Sequence, residues 1–300
     1  MRFRSVRMRV FITGSKGQLG QDCLRAFAGR HEVRGADLPE FDITAPASIE
    51  SALGGFRPDV ILNCAAYTQV DRAETDREAA RRVNADGPRL LAEIAERAGA
   101  HLVHLSTDYV FDGRRPPPQP YAETDPPAPV SFYGVTKLAG EQAVRETAAR
   151  YAIVRTAWLY GLGGRNFLKT VLRLALARPG APLRVVADQH GCPTWSQRLA
   201  RQLLRLVEAG ACGLYHAAAE GHCTRYEEAL HFLTRLGVQP GLVPCATADY
   251  PTAARRPMNS ILENTRLRAE GCGVMRDWRE DMDEFVARHR DALLREASAA

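Results

Sequence analysis

The stretch from residue 8 to residue 29 limits the fold more than any other. Residues 8–13 (MRVFIT) form a short apolar strand, Gly14-Ser-Lys-Gly17-Gln18-Leu19-Gly20 is a glycine-rich turn, and a helical segment follows to about Gly29. Strand, turn and helix in that order are the context a dinucleotide fingerprint requires. Glycines let the backbone approach a pyrophosphate, and the helix N-terminus meets its negative charge. The glycine spacing alone is a weak signal, and a turn without a ligand is its plainer reading. The flanking strand and helix favour the cofactor.

The same β-then-α unit recurs along the first half. Residues 31–36 read as a second strand ended by Asp37, which lies where an acidic residue meets adenosine ribose hydroxyls. A carboxylate there repels a 2′-phosphate and leans toward NADH, Arg34 softens that preference, and a strand-end turn residue is the plainer reading. Asp42 and Ile43 follow and are placed near the adenine. Residues 58–63 (PDVILN) form a third buried strand, ending in Cys64-Ala65-Ala66-Tyr67-Thr68, whose small side chains let a cofactor pass close. A helix is expected over 74–98 with Asn84 inside it, then a fourth strand over 102–106. The expected class is α/β, a Rossmann-type doubly wound parallel sheet with its ligand crevice at the carboxyl ends of the strands. Gly17, Ala65, Thr107 and Tyr133 should converge there.

Residues 116–129 hold much of the proline and read as a loop over that crevice, because a strong helix with Tyr133 follows at once. Tyr133-x-x-x-Lys137 puts both side chains on one helix face. A free phenol titrates near ~10, and a neighbouring ammonium favours the phenolate, so the expected shift is downward. By spacing alone, the commoner reading is a solvated helix face. Residues 151–156 (YAIVRT) are a fifth strand, and beyond about 160 the regular alternation weakens. Helices over 195–208 and 277–294 and a short strand over 213–217 give a division into a Rossmann domain, 1–160, and a smaller substrate-binding lobe, 161–300, interleaved with the last Rossmann strands.

Composition narrows the partners. With 300 residues and 45% hydrophobic content the chain can bury a large core. The charge of +5 invites nucleic acid, but lysine occurs only at 16, 137 and 169, and the arginines are scattered among acids without a basic block. No nucleic-acid partner is expected; a mild basic balance suits an anionic substrate. No run approaches a transmembrane span, no signal peptide is legible at the basic start, and Met1 and Met8 both qualify as first residue. Seven cysteines without a C-x-x-C, among them Cys23 and Cys64 in apolar or helical settings, point to a reducing, cytoplasmic protein with neither disulfide framework nor zinc site.

In order along the chain, GSKGQLG, PDVILNCAAYTQVDRAE, HLSTDYVFDG, YGVTKLAGE, RTAWLYG with RNF, DQHGCPT, GLYH and ARRPMNS resemble the extended short-chain dehydrogenase/reductases, and among them the dTDP-4-dehydrorhamnose reductases. The resemblance runs from Met8 to about Leu294. It implies reduction of the 4-keto group of dTDP-4-dehydro-β-L-rhamnose by NADPH or NADH, with a dTDP-sugar as the partner. By matching position, Tyr133 donates the proton, Lys137 lowers its pKa and holds the nicotinamide ribose, and Thr107 orients the keto oxygen. Gly14, Gly17, Gln18, Leu19, Gly20, Asp37, Asp42, Ile43, Ala65, Ala66 and Tyr67 belong to the cofactor site. Val70, Asp108 and Trp158 touch the sugar, and Asn166 and Arg256 suit the nucleotide diphosphate. Each has a plainer reading: Trp158 as core, Asp108 as a turn cap, Arg256 as a surface arginine. Tyr67 and Tyr160 are pocket candidates, although aromatic core residues are commoner.

The chain departs from the pattern at Ser131-Phe132 and at Cys192. Some relatives hold magnesium with glutamates at a dimer contact. Asp22 and Gln197 stand in the matching region, so no metal is expected here, and a homodimer is carried over only with the resemblance. Two rival readings stay open. One is a reductase or epimerase of another dTDP-deoxysugar; a dehydratase is disfavoured because Tyr109, not a glutamate, follows Asp108. The other is a non-catalytic, cofactor-binding regulatory subunit like the beta subunit of methionine adenosyltransferase.

Overall fold

The computed structural model describes residues 7–178, 180–239 and 241–299; Met1, one of the two candidate starts, lies outside them. Among the described residues, six parallel strands form one sheet. In chain order they are β1 (Arg9–Thr13), β2 (Glu32–Ala36), β3 (Val60–Asn63), β4 (His101–Thr107), β5 (Tyr151–Thr156) and a strand from the second half, Gly213–His216. Across the sheet the order is Gly213–His216, β5, β4, β3, β1, β2. Successive strands are therefore added in opposite directions from β1, to β2 on one side and to β3 on the other, which places the crevice above the switch between β1 and β3. The doubly wound parallel sheet expected from the sequence is the one observed.

Alternation along each strand splits the core between two faces. Val10, Ile12, Val103, Leu105 and Val154 point to one side, where α1 (Gln18–Ala28) supplies Leu19, Cys23 and Phe27. Phe11, Ile61, Leu102 and Ile153 point to the other, against Ile49 and Leu53 of α2 (Pro46–Gly54). Burying each such side chain contributes roughly 1.5–3 kcal/mol. Both faces are covered, as a parallel sheet requires.

The single helix expected over 74–98 is broken. Short helices α3 (Val70–Ala73) and α4 (Arg77–Arg81) lead into a π-helical turn over Arg82–Asp86, and α5 (Gly87–Ala98) follows. Pro88 is the physical reason. It has no N–H to return to the Asn84 carbonyl, and the chain widens by one residue so that the Gly87 N–H reaches Arg82 O. Next in order is α6 (Phe132–Thr147), which crosses this bend so closely that a Cβ on Gly140 would lie 2.2 Å from Asn84 O.

Beyond β5 the elements shorten: β6 (Leu159–Tyr160), α7 (Phe167–Ala177), β7 (Leu183–Val186), β8 (His190–Gly191) and β9 (Thr194–Trp195). They are followed by α8 (Ser196–Ala209), β10 (the Gly213–His216 strand), β11 (Cys223–Thr224), α9 (Arg225–Leu236), β12 (Leu242–Cys245), α10 (Thr265–Ala269) and α11 (Trp278–Ser298). Leu199, Leu203 and Leu206 of α8 complete the first core face. A separate cluster joins Leu168 and Leu172 of α7, Phe232 of α9 and Phe285 of α11 around Tyr160 and Trp195. The proline-rich loop docks on the segment before α10: the Tyr121 N–H donates to Ile261 O at 2.8 Å, and Asn259 Nδ2 donates to Gln119 O at 2.8 Å.

Candidate active site

The glycine turn is built for close approach. Gly14 has φ +63°, and a Cβ there would lie 2.7 Å from Ala65 N. Gly20 comes closer still, since its Cβ would lie 2.1 Å from Gly14 O. The first turn of α1, which holds Gln18, Leu19 and Gly20, carries no acidic residue and no side-chain cap at Gly17. Its N–H groups and dipole are left for an external anion. A dinucleotide pyrophosphate fits this turn on its own chemistry.

Asp37 closes the turn from β2. Its Oδ2 accepts the Lys16 N–H at 2.8 Å, and its Oδ1 accepts that of Leu38 at 2.8 Å. Arg34 turns away toward the Phe56 ring, 4.6 Å from the centroid. The cation beside Asp37 is Lys16, whose ammonium bonds Leu38 O and Glu40. Asp42 Oδ1 accepts the Thr44 N–H at 2.8 Å, while Ile43 is buried against Gly87.

A buried polar row runs under the crevice. Thr13 Oγ1 donates to Asn63 Oδ1 at 2.6 Å, and Asn63 Nδ2 meets His104 Nδ1 at 3.0 Å. Burial and the Lys137 charge hold His104 well below its ordinary pKa, so it stays neutral. The loop after β3 is fastened by Asn84, which the sequence pattern marked only as a polar residue within a helix. Its Oδ1 accepts the Tyr67 N–H at 2.9 Å, and its Nδ2 donates to Tyr67 O at 3.0 Å and Thr136 Oγ1 at 3.1 Å. Ala65, Ala66 and Tyr67 are thereby tied to α6. Tyr67 Oη donates to Asp76 at 3.1 Å.

Ser131 caps α6, its Oγ accepting the Gly134 N–H at 3.2 Å, so its departure from the family pattern leaves a competent N-cap. Tyr133 sits in the first turn, its ring 5.6 Å from that of Tyr109 and edge-on to it. Its pKa is raised, not lowered. Burial pushes the phenol up, and the Thr107 hydroxyl facing it pulls the other way. This corrects the expectation that Lys137 brings the phenol toward neutrality. The Lys137 ammonium donates instead to Leu105 O at 2.6 Å, and burial lowers its own pKa to about 8 against the pull of Glu141. A phenol that keeps its proton at neutral pH is the form that can donate to a carbonyl oxygen.

Beneath Lys137 lies a buried ion pair that no spacing rule singled out. Arg155 of β5 grips Glu141 with two bonds, at 2.9 Å and 2.7 Å, and both side chains are at most 1% exposed. Glu141 also accepts the Ser106 hydroxyl. Thr107 Oγ1 donates to Asp108 Oδ1 at 2.9 Å and accepts the Tyr109 N–H. Asp108 is 2% exposed; burial lifts its carboxyl to about 6, and its Oδ2 is without a partner among the described residues.

The other expected substrate contacts are more dispersed. Val70 is the first residue of α3. Trp158 has φ +43°, a conformation few non-glycine residues hold, and such outliers gather at functional sites. Asn166 is the N-cap of α7, its Oδ1 accepting the Lys169 N–H and its Nδ2 donating to Gln18 Oε1 at 2.8 Å, so it links the second half to the glycine turn. Arg256 pairs with Asp71 through both terminal nitrogens, at 3.1 Å and 2.7 Å. Tyr160 is core, 1% exposed. Among the described residues no group of three or more His, Cys, Asp or Glu side chains stands together as a metal site; Asp22 bonds Ser196 and Arg25.

The family model for the RmlD substrate binding domain matches residues 8–290. A Streptomyces antibioticus protein named as a probable dTDP-4,6-dihydroxy-2-methyloxan-3-one 4-ketoreductase is 44% identical, over 92% of this chain and 94% of its own length. A dTDP-4-dehydrorhamnose reductase of Burkholderia thailandensis is 38% identical, over 91% and 96%. In three dimensions, the dTDP-4-dehydrorhamnose reductase of Bacillus anthracis, solved in complex with NADP, aligns with a TM-score of 0.90 at 38% identity, covering 94% of this chain and 100% of that one.

Proposed function

The chain belongs to the RmlD substrate binding domain family, and from that premise we propose the following reading. It is an NAD(P)H-dependent oxidoreductase that reduces the 4-keto group of dTDP-4-dehydro-β-L-rhamnose to dTDP-L-rhamnose. The observation that carries the assignment to chemistry is the arrangement around Thr107. A protonated, buried Tyr133 faces its hydroxyl, and both stand at the carboxyl end of β4 beside the loop fastened by Asn84.

Reduced nicotinamide supplies the hydride. The protein's part is to place the ketone and to supply the proton. In this reading Gly14, Gly17, Gln18, Leu19 and Gly20 receive the pyrophosphate, Asp37 the adenosine ribose, Asp42 and Ile43 the adenine edge, and Ala65, Ala66 and Tyr67 the nicotinamide half. Thr107 aligns the carbonyl oxygen, and Tyr133 Oη gives that oxygen its proton as C4 gains hydride, leaving a secondary alcohol. Lys137, anchored at Leu105 O, steadies the phenolate that results until solvent returns a proton. Val70, Asp108 and Trp158 surround the sugar; Asn166 and Arg256 are assigned to the nucleotide side, Arg256 after exchanging Asp71 for phosphate.

We take 1–160 as the cofactor domain and 161–300 as a smaller substrate-binding lobe interleaved with the last Rossmann strands, a reading supported by β10, which comes from the second half yet lies in the six-stranded sheet. No helix among the described residues is long and apolar enough to cross a membrane. The cytoplasm is proposed as the compartment on the strength of seven free thiols. A homodimer belongs to the same reading and is checked by light scattering.

One other reading has a specific observation behind it. The Streptomyces antibioticus relative is named for a different dTDP-linked ketone, so a neighbouring 4-keto-deoxysugar is the competing substrate. The test is loss of reduced-nicotinamide absorbance with each keto sugar generated in situ, in the wild type and in Tyr133→Phe. Fast oxidation with dTDP-4-dehydrorhamnose, reduced about 10²–10⁴-fold by the variant, supports the reading. Preference for the other ketone moves the substrate. Cofactor binding without any turnover favours the regulatory-subunit alternative.

A further inference from the structure

A cation stands at the sugar end of the crevice that no motif identified. Arg225 is the first residue of α9, and the helix start is fixed by a reciprocal cap: Thr224 Oγ1 accepts the Glu227 N–H at 3.1 Å, while Glu227 Oε2 accepts the Thr224 N–H at 2.8 Å. The strand leading into it, β11, pairs antiparallel with β8. Gly191 of β8 lies so near Trp158 that a Cβ there would come within 2.2 Å of the indole. Against the same indole the Arg225 guanidinium lies 3.5 Å from the ring centroid, with Phe167 at 4.9 Å. Among the described residues only its Nη1 is hydrogen-bonded, to Glu228 Oε2 at 2.8 Å.

We infer that Arg225 is a positioning residue for the reduction: its guanidinium, stacked on the Trp158 ring, seats that strained indole against the sugar. It rests on stacking: a desolvated guanidinium is attracted to the indole face, and that attraction offsets the local strain at φ +43°.

This inference deepens the reductase reading and depends on it. Arg225→Met keeps the stem and removes the charge; Arg225→Lys restores the charge without the planar stack. With the keto sugar and NADPH, the Met variant should lose at least tenfold in kcat/KM, chiefly through KM. The Lys variant should leave KM high, because its ammonium lacks the planar face. Unchanged KM in both variants overturns the inference, as does a loss that falls on kcat alone. Arg225→Gln replaces the Met variant if the latter does not bind NADPH. If the wild type fails to oxidise NADPH, the reductase reading falls, and the contact is read from Trp158 emission, isolated by difference from Trp158→Phe. A red shift in Arg225→Met upholds the seating role, and an unshifted band refutes it.

Discussion

The ammonium of Lys137 donates to the carbonyl oxygen of Leu105 at 2.6 Å, one turn of helix away from the phenol of Tyr133. The lysine is thus held to the end of β4, and its charge is carried at a cost, since burial lowers its pKa to about 8.

That cost has a sign in pH. The unfolded chain binds the lysine proton up to about 10.4, whereas the folded chain releases it near 8. Between those values the unfolded state holds more protons, so the Lys137 share of stability rises with pH. The urea midpoint of the wild type relative to that of Lys137→Met should rise from pH 7 to 10.5, the loss of stability from the buried thiols being common to both. Parallel curves for the two proteins would contradict it.

Asn84 joins the Cys64–Tyr67 connection to α6 with three hydrogen bonds while 1% exposed. Replacing it by alanine leaves the Tyr67 backbone groups unpaired and should cost about 2–3 kcal/mol in chemical denaturation. Because the loop it holds borders the proposed nicotinamide site, NADPH affinity measured by calorimetry should weaken by roughly tenfold or more. Retained affinity in a destabilised variant would limit Asn84 to a folding role.

The carboxylate of Asp37 and the ammonium of Lys16 meet the same stretch of chain around Leu38. Asp37→Ser removes the negative charge and keeps an acceptor for the Lys16 N–H. The ratio of kcat/KM for NADPH over NADH should climb by about tenfold, as expected from roughly 1.4 kcal/mol of lost repulsion. A ratio that stays put would show that the carboxylate does not face the 2′ position.

Arg155 and Glu141 form a pair with almost no exposure. Arg155→Met strands the carboxylate in the core, and the expected loss is about 3–5 kcal/mol. The matched double change, Arg155→Met with Glu141→Gln, should recover a large part of it. A single variant as stable as the wild type would refute the account.

The sheet was legible because most of its strands are short apolar runs, several of them closed by Gly, Asp or Asn, and each such signal is local. Strand ends moved by a residue or two, as when β3 began at Val60 rather than at Pro58. The glycine turn and Tyr133-x-x-x-Lys137 were legible for the same reason. What stayed hidden is pairing across distance. Glu141 and Arg155 are ordinary charged residues in the sequence, and only the packing of α6 on β5 makes them partners. Arg225 is one of many arginines until β11 and β8 bring it to Trp158. Even the break at Asn84 was readable in principle, since Pro88 removes a donor from the helix. The direction of the Tyr133 shift was not, because burial outweighs a neighbouring charge only once the depth of the site is known.

The close crossing of α6 over the bend sets a mechanical tolerance. Tyr133 and Lys137 ride on one rigid rod, and Gly140 lies seven residues, about 10 Å, further along its axis from the phenol. With 2.2 Å between a would-be Cβ and Asn84 O, the rod bears on its pivot with no room for a methyl group. An alanine there would prise the whole rod up, and phenol and ammonium would leave the floor together though neither had been touched. The reach of the chemical groups is therefore set by an absent carbon atom, and the missing N–H of a proline shaped the bearing on which it rests.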